Sequence, residues 1–501
     1  MSLEHTLVAG AEKVRLLRED GVEPYPEHTP PRITIDHALR QFEAGEMAGP
    51  IGVAGRLDAK RGHGKVAFGN LSEGEARIQL FLREGHTNPD ALGIFRRVDL
   101  GDWLWARGPV VRTRTGEVSV DVEDLELLAK IVRPLPDKWK GFKDHESRYR
   151  QRHLDLMVNV DSRTAFRTRA AVVRALRGVL DRRGFLEVDT PVLQTLYGGA
   201  AARPFTTHHH ALDRTLYLRI ALELHLKRLL VGGLSKVYEI GKCFRNEGMD
   251  RLHNPEFTLL EAYEAFSDRE GMMELSEALL RTVALEVTGR TRVSFQDGEI
   301  DLEGPYARHT MAELIREHTG LSIFEDTEDD LVEACVRHGL TEIPPAPLRA
   351  WLIDKLFSLA VEPNLLQPVF VTNHPIELSP LARHDLEDPR TAARFELFVG
   401  GREIVNAYSE LNDPAEQRRR MEAQRRLGEA GEGFPVDDDY LRALECGMPP
   451  AGGLGLGVDR FVMLLTQQPS IQDVILFPHM RPIAEDGPPI QEVLDDAGQP
   501  S

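Results

Sequence analysis

Residues suited to binding phosphate recur at every second position in two neighbouring stretches of the chain. Arg245 and Glu247 are two residues apart in FRNEG, and Phe257, Glu261 and Tyr263 share one parity in PEFTLLEAY. Because strand side chains alternate between faces, each set would face one cleft if both stretches are strands joined by the loop between them. A guanidinium binds two phosphate oxygens at once, so Arg245 favours a phosphate ligand. A solvated sheet face with a salt bridge is the alternative.

A second pattern, RFELFVGGREIVNAYSEL, predicts a hairpin with its two glycines at the turn. A two-residue turn would place Glu396 opposite Val405. Glu396 and Glu403 would then share a face, at a spacing suited to a hard cation such as Mg²⁺. Three polar residues fall on the other parity and reach the same face only if the strand bulges near 404–405: Asn406, Tyr408 and Glu410. Paired carboxylates on a wet sheet face are the alternative.

A glycine-rich run, GLGLGVDRF, opens a predicted helix with Arg460 in its first turn. Glycines let a phosphate approach the backbone, and a helix N-terminus favours anions. A tight turn packed on a sheet is the alternative. The three consecutive histidines 208–210 would diverge in an extended segment, so no metal site is expected there.

The elements that must position these groups fall into two regions. Between about residues 50 and 130, five short alternating runs predict a small closed β-barrel, for which an OB-fold is the commonest match. Beyond residue 160, a helix over 163–183, several strands and a helix from about 457 follow without βαβ alternation. This order predicts an α+β domain built on an antiparallel sheet flanked by helices.

Composition limits the possible functions. The chain has 501 residues, 28% of them charged, with a formal net charge of −19, which argues against indiscriminate binding of polyanions but permits a local basic surface. Three cysteines without a CxxC pair predict neither a disulfide framework nor a structural zinc site. Without a signal-peptide core or an apolar run of the ~18 residues that a membrane span needs, we expect a cytoplasmic protein with no membrane partner.

Together these motifs resemble the class II lysyl-tRNA synthetase family from about residue 11 to 481. RGFLEVDTP is similar to the first class II signature, an interface motif. FRNEG through HNPEFTLLEAY resembles the second signature, and GLGLGVDRF the third. The segments YLRIALELHLKRLLVGG, VEPNLLQPVF and GGREIVNAYSELND are similar to family-specific stretches.

The resemblance implies activation of L-lysine by ATP to lysyl-adenylate, followed by transfer of lysine to the terminal adenosine of tRNA(Lys). It assigns the α-phosphate to Arg245, the γ-phosphate to Arg460 and adenine stacking to Phe257, with Glu247 and His253 nearby. Glu396 and Glu403 match the ligands of Mg²⁺, of which about two or three ions per subunit are expected. The lysine site would comprise residues for the α-amino group, the carboxylate and the side chain: Gly199, Glu223, Asn406, Glu261, Tyr263, Tyr408 and Glu410.

The side-chain pocket also follows from the residues themselves. Glu261 and Glu410 in a partly dry pocket demand a cation, since an unpaired buried charge costs several kcal/mol. An aspartyl or asparaginyl enzyme of the same class would need a cationic or amide lining instead.

One position departs from the family pattern. The family carries an arginine directly before His-Asn-Pro-Glu-Phe, where this chain has Leu252, with Arg251 one step earlier. Either Arg251 reaches the terminal phosphate of ATP through a shifted loop, which we favour, or Arg460 and magnesium bind that phosphate alone.

The barrel resembles the family's anticodon-binding domain. Phe68 would stack on a base while Arg56, Gln79 and Glu117 read base edges. Barrel core is the alternative for Phe68.

The predicted divisions are an N-terminal helical extension (1–48), the OB-fold (49–135), a hinge (136–160), the catalytic domain (161–482) and a disordered tail (483–501). We also expect a homodimer through residues 160–191. Two rival functions are a paralogue that lysylates another acceptor and a regulatory protein with a dead catalytic domain. The first generally lacks the barrel or adds membrane segments, and the second would lack Arg245, Glu403 or Arg460, all present here.

Overall fold

A computed structural model describes residues 3–133, 135, 142, 144–295, 298–344, 347–428 and 435–482. These residues form two compact units, one reaching Val160 and including the described residues from Arg481, the other spanning Asp161–Met480. The predicted disordered tail, 483–501, lies outside the described residues. So does most of 134–143, where the predicted hinge begins.

The first unit contains the predicted barrel region and short flanking helices. Its elements are α1 (Leu3–Glu19), α2 (Ile35–Glu43), β1 (Ile51–His63), β2 (Val66–Glu73), β3 (Ala76–Arg83), α3 (Pro89–Arg97), β4 (Trp103–Gly108), β5 (Val110–Arg112), β6 (Val118–Asp121), β7 (Asp124–Ala129), α4 (His145–Arg150) and α5 (Arg152–Val158). The last two helices occupy the described part of the predicted hinge.

The seven strands form one sheet in the order β5-β6-β3-β2-β1-β4-β7. The last two of the five predicted runs, DWLWARGPVV and EVSVDVEDLELL, each form two strands. The first divides at Pro109, because proline has no N–H to donate to a ladder. With β5 and β7 at the ends of the order, no hydrogen-bonded ladder closes the sheet, so the prediction of a closed barrel was wrong. Leucine, isoleucine and valine side chains from the strands, with Phe95 of α3, form the core.

The second unit is built around an eight-stranded sheet. Its elements are α6 (Val160–Arg182), β8 (Leu186–Glu187), β9 (Leu193–Gln194), β10 (Thr206–His209), β11 (Arg214–Leu218), α7 (Glu223–Val231), β12 (Lys236–Phe244), β13 (Glu256–Ala265), α8 (Arg269–Thr288), β14 (Arg292–Phe295), β15 (Gly298–Asp301), β16 (Ala307–Thr310), α9 (Met311–Thr319), α10 (Glu328–Arg337), α11 (Arg349–Ala360), β17 (Val369–Thr372), β18 (Arg394–Phe398), β19 (Glu403–Ser409), α12 (Pro414–Gly428), α13 (Asp438–Glu445), β20 (Ala451–Gly457), α14 (Val458–Thr466) and α15 (Ile471–Val474).

The strand order is β16-β17-β18-β19-β20-β13-β12-β8. Pairing is antiparallel from β17 to β12 and parallel only at the two outer pairs. Buried residues of α6, α8 and α14 cover one face of this sheet and form its largest apolar cluster. The α+β prediction is therefore confirmed, and the face not covered by these helices carries the candidate site.

Candidate active site

The floor of the site is the glycine-rich strand β20. It lies between β13 and β19, so two polar side chains flank each of two glycines: Glu261 and Asn406 lie opposite Gly455, and Tyr263 and Tyr408 lie opposite Gly453. A Cβ atom on Gly453 would lie only 1.9 Å from Glu410 Oε1. The glycines therefore leave space that the polar side chains of the two neighbouring strands occupy. This packing role adds to the phosphate role predicted from the sequence.

A bulge in β19 gathers the second set of polar groups. Glu396 pairs with Asn406, whereas Phe398 pairs with Glu403, so Ile404 is the extra residue in the ladder. This is the predicted bulge, and it places Glu403 on the same face as Asn406 and the tyrosine beyond it. The prediction that Glu396 lies opposite Val405 was wrong by one residue, because the bulge had been left out of that register.

These strands line a cleft of about 1480 Å³. Thirteen of the residues predicted from the sequence line it: Gly199, Glu223, Arg245, Glu247, His253, Phe257, Glu261, Tyr263, Glu396, Glu403, Asn406, Tyr408 and Arg460. Glu410 lies directly beneath the lining, against Gly453. The sequence therefore brings together groups that are up to about 260 residues apart along the chain.

At one end of the cleft the charged groups are partly exposed arginines. The Arg245 guanidinium lies over the Phe257 ring, 5.0 Å from its centroid, and its Nε is buried without a hydrogen-bond partner. Arg460 donates from Nη1 to the carbonyl and a carboxylate oxygen of Glu403, at 2.9 and 3.1 Å, and its Nη2 is 3.3 Å from His253 Nε2. Two guanidinium groups are thus in place for an anion.

A buried carboxylate fixes the helix that carries Arg460. Asp459 accepts a hydrogen bond from the Thr258 backbone N–H at 2.6 Å and forms an ion pair with Arg169 at 2.5 Å. This clamp joins the start of α14 to β13 and to α6. The sequence motif indicated Arg460 but not Asp459. The partner of Asp459 on β13 is about 200 residues away in the sequence, so residue spacing could not reveal this contact.

The loop before β13 places Leu252, not Arg251, at the cleft. Asp250 accepts hydrogen bonds from the backbone N–H groups of Leu252 and His253, at 2.6 and 2.8 Å. The Arg251 carbonyl accepts from the Ile471 N–H at 2.8 Å, while the Arg251 side chain is exposed and does not line the cleft. Leu252 lines the cleft and packs against the apolar core. Arg251 therefore does not line the cleft in this structure, and the shifted loop favoured from the sequence stays a prediction.

Glu396 and Glu403 converge on the amide of Asn406, whose Nδ2 donates to both carboxylates at 3.3 and 3.4 Å. Burial alone would raise the pKa of Glu396, but the charges of Arg394 and His374 outweigh it and lower that pKa. The described residues contain no cluster of three or more metal-ligating side chains. Two converging carboxylates nevertheless fit Mg²⁺, which usually takes one or two protein oxygens and completes its shell with water and phosphate.

The other end of the cleft is a buried acidic pocket. Glu261 accepts hydrogen bonds from the Leu222 N–H and the Tyr263 hydroxyl at 3.0 and 2.8 Å, and Glu223 accepts from the Tyr408 hydroxyl at 2.6 Å. Burial and then the charge of Glu223 raise the pKa of Glu261 to about 7. Burial likewise raises the pKa of both tyrosine hydroxyls, which therefore remain donors.

Sequence reasoning missed one member of this pocket. Lys227 forms ion pairs with Glu223 and with Glu410, and its side chain is fully buried. The spacing of Glu223 and Lys227, four residues apart in a helical stretch, was the available signal. That spacing usually marks a surface pair, so it gave no reason to place an ammonium inside the pocket.

Comparisons with known proteins agree with this geometry. Residues 144–481 match the family described as tRNA synthetases class II (D, K and N), and residues 51–128 match the OB-fold nucleic acid binding domain. A lysine–tRNA ligase of Moorella thermoacetica is 51% identical over 480 residues, which is 95% of this chain and 97% of that protein. The lysine–tRNA ligase of Bacillus subtilis is 46% identical, over 96% and 98% of the two chains.

The chain belongs to the class II lysyl-tRNA synthetase family. The resemblance drawn from its motifs is confirmed, as is the OB-fold of the first unit. The matched family model covers the D, K and N enzymes together. The lysine–tRNA ligase relatives and the acidic pocket distinguish the lysine enzyme from the other two. No helix within the described ranges is both long and apolar enough to cross a membrane.

The predicted anticodon residues occupy different surroundings in the OB-fold. Phe68 is half-exposed outside the apolar core and stacks on Phe81, with ring centroids 5.1 Å apart. Gln79 is buried and accepts a hydrogen bond from the Ser119 hydroxyl at 3.0 Å, while Glu117 is exposed. Arg56 is engaged elsewhere, since it donates to the Gly101 carbonyl at 2.8 Å and lies over the Trp103 ring.

Proposed function

We propose that the cleft carries out the lysine–tRNA ligase reaction, with ATP at the arginine end and L-lysine in the acidic pocket. The observation that carries this assignment is the buried trio Glu223, Glu261 and Glu410, opened to the cleft by a glycine floor. The single buried ammonium of Lys227 can balance only one of three carboxylate charges, so the pocket favours a cationic ligand. An aspartate or asparagine side chain offers no positive charge, so the alternative class II substrates fit this pocket poorly.

In the first step, the lysine carboxylate attacks the α-phosphorus of ATP in line with the departing pyrophosphate. The attacking group is already charged, so no general base is required. Arg245 would bind the α-phosphate and Arg460 the γ-phosphate, while Phe257 stacks on adenine and Glu247 and His253 border the nucleotide. Positioning and charge neutralisation therefore account for the chemistry.

Glu396 and Glu403 would hold Mg²⁺, which, when bound, neutralises phosphate charge and orients pyrophosphate as the leaving group. The expectation of about two or three ions remains a prediction, because a pair of carboxylates sets no upper number. In this structure Glu403 is paired with Arg460. We expect nucleotide binding to separate them, since the guanidinium is then needed by phosphate and the carboxylate by the metal.

In the amino-acid pocket, Gly199 and Glu223 would bind the α-amino group and Asn406 the carboxylate. Glu261, Tyr263, Tyr408 and Glu410 would then surround the side chain, as the family resemblance implies. A Cβ atom on Gly199 would approach Glu223 Oε2 to 3.7 Å, so the absence of a side chain keeps that oxygen accessible.

The second step transfers lysine to the terminal adenosine of tRNA(Lys), whose anticodon would bind the OB-fold. The half-exposed Phe68–Phe81 pair supplies a stacking surface for a base. Arg61, 5.2 Å from the centroid of Phe68, adds positive charge there. Gln79 and Glu117 would read base edges. A role for Arg56 requires it to leave Gly101, which makes it the weakest of the four assignments.

We further propose a cytoplasmic homodimer formed through residues 160–191. Leu186 is 51% exposed on β8, at the edge of the large sheet. An exposed apolar side chain on an unpaired edge strand favours contact with a second copy. Phe185 is buried within its own subunit and would support the interface only indirectly. An active monomer in light scattering would contradict this proposal.

The decisive experiment is lysine-dependent exchange of pyrophosphate into ATP, followed by charging of bulk tRNA. A lysine–tRNA ligase is positive in both assays, a paralogue with another acceptor only in the first, and a regulatory protein in neither. Truncation of residues 1–135 should retain exchange and lose nearly all charging. Full charging by a folded truncation would assign tRNA binding to the second unit.

A further inference from the structure

The least expected charge in the amino-acid pocket is that of Lys227. Its Nζ is 2.5 Å from Glu223 Oε1, forms a second ion pair with Glu410, and lies 5.3 Å from the centroid of the Tyr408 ring. The side chain is fully buried. A buried ammonium is strongly unfavourable unless it is paired, and here it is paired twice.

We propose that Lys227 is a positioning residue that limits the pocket to two net negative charges when its three carboxylates are ionised, the number that matches the two ammonium groups of free lysine. This inference rests on the proposed function. Three carboxylates, Glu223, Glu261 and Glu410, share the pocket with one internal ammonium. Without Lys227 the three carboxylates would exceed the two ammonium charges of the substrate by one.

The geometry of the two ion pairs supports this role. Lys227 contacts Oε1 of Glu223 and Oε2 of Glu410, one oxygen of each carboxylate. The other oxygens face glycines of the cleft: Glu223 Oε2 lies toward Gly199 and Glu410 Oε1 toward Gly453. Both carboxylate oxygens of Glu410 are buried without a hydrogen-bond partner, and only Oε2 is ion-paired with Lys227. The internal ammonium therefore holds both carboxylates in place and leaves one oxygen of each for the substrate.

Within the described residues, the ionisable groups around Lys227 come from four elements of the second unit. Glu223 lies on the same helix, Tyr408 on β19, Glu410 directly after β19, Tyr440 on α13, and Glu261 on β13. Burial would lower the pKa of Lys227, but the charges of Glu223 and Glu410 outweigh it and raise that pKa. Lys227 therefore stays charged. Burial raises the pKa of Glu261 to about 7 and that of Glu410 to about 8, so removal of the Lys227 charge should be compensated by additional protonation of these carboxyl groups, which bound lysine must then reverse.

Calorimetric titration of the full-length protein with L-lysine tests this directly. Titration at pH 7 in buffers of different ionisation enthalpy gives the number of protons released on binding. We expect Lys227→Met, which keeps an unbranched chain without the charge, to release about one proton more than the wild type. Its affinity for lysine should fall, while its affinity for ATP should be unchanged.

Arg228→Met is the matched control, because Arg228 is the next residue of α7 and is exposed. It should release the same number of protons as the wild type. An unchanged proton count in Lys227→Met would overturn the inference and leave the proposed function intact. Failure of the wild type to bind lysine would instead overturn the proposed function.

A second variant covers the case in which Lys227→Met does not fold. Lys227→Met/Glu410→Gln removes one negative charge together with the ammonium, so the pocket returns to two net charges. We expect this double variant to melt at a higher temperature than Lys227→Met at pH 8. If the double variant is no more stable, or if neither protein folds, Lys227 is required for packing and the charge-matching role is wrong.

Discussion

The two ends of the cleft hold their charges in different ways. At the phosphate end, Arg460 is partly exposed and uses Glu403 and His253 as partners. At the amino-acid end, Glu261 and Glu410 are buried, and each is held by groups of the surrounding strands and helix. Exposed charges exchange partners at little cost, whereas buried ones do not. The nucleotide end can therefore rearrange around ATP and metal, while the amino-acid end is preorganised.

The two ends of the cleft therefore recognise ATP and lysine by different means. ATP carries about four negative charges and binds together with metal, so two partly exposed arginines suffice to orient it. Lysine differs from other amino acids by one ammonium, and only a dry pocket of fixed charge makes that difference large.

Removing an arginine at the phosphate end should reduce the rate of adenylate formation most. Arg245→Ala and Arg460→Ala each remove positive charge that opposes the charge of the transition state. We expect a loss of about 10²–10³ in kcat for pyrophosphate exchange, the usual consequence of deleting one such group. Arg169→Lys, which preserves the charge beside Asp459, is the control for disturbance of α14. A change confined to the lysine KM would contradict the division of the cleft.

Neutralising a buried carboxylate should affect lysine rather than ATP. Glu261→Gln and Glu410→Gln each remove a charge-assisted contact to the substrate ammonium, worth roughly 1.5–3 kcal/mol. We expect kcat/KM for lysine to fall by about 10- to 150-fold with the KM for ATP nearly constant. The matched control is Glu264→Gln, on the same strand but outside the cleft lining. A raised KM for ATP with normal use of lysine would show that the pocket has been misassigned.

Much of this arrangement was predictable from the sequence. Alternation in two stretches identified Phe257, Glu261 and Tyr263, and the bulge was required to bring Glu403 to the same face as Asn406. The exact register between β18 and β19 was not predictable, because the one extra residue of the bulge shifts every pairing beyond it by one position. Lys227 was missed for a different reason. A helical Glu–Lys pair usually indicates a surface salt bridge, whereas the burial of this pair depends on β13 and α13 packing against the helix.

The pH dependence should also separate the two ends. The pKa of Glu261 is raised to about 7 by burial and by Glu223, and only its ionised form attracts the substrate ammonium. The KM for lysine should therefore rise as pH falls below about 7, approaching tenfold per pH unit. The KM for ATP should change much less, as measured by exchange between pH 5.5 and pH 8. A parallel rise in both constants would contradict a titrating amino-acid pocket.

The same shift predicts how stability responds to pH. A carboxyl group with a raised pKa in the folded state stabilises the ligand-free protein at low pH, and this contribution is lost as pH rises from about 4.5 through about 7. Bound lysine compensates the ionised carboxylates, so the increase in melting temperature caused by lysine should be larger at pH 8 than at pH 6. Differential scanning fluorimetry with saturating lysine measures this, and an equal increase at both values would contradict it.

The smallest effect is expected at the loop position that departs from the family. Arg251 is exposed and lies outside the cleft lining, so Arg251→Ala should change exchange by less than about twofold, as is usual for a surface substitution. Leu252 lines the cleft, so Leu252→Arg should introduce a phosphate contact and tighten ATP binding by up to the roughly 1.5–3 kcal/mol of one charge-assisted bond. Part of this gain will be offset because Leu252 also packs against the apolar core. A large loss of exchange activity with Arg251→Ala, together with no gain from Leu252→Arg, would contradict this expectation. Such a result would mean that bound ATP draws the loop into the shifted position, so that this exposed segment also rearranges at the nucleotide end of the cleft.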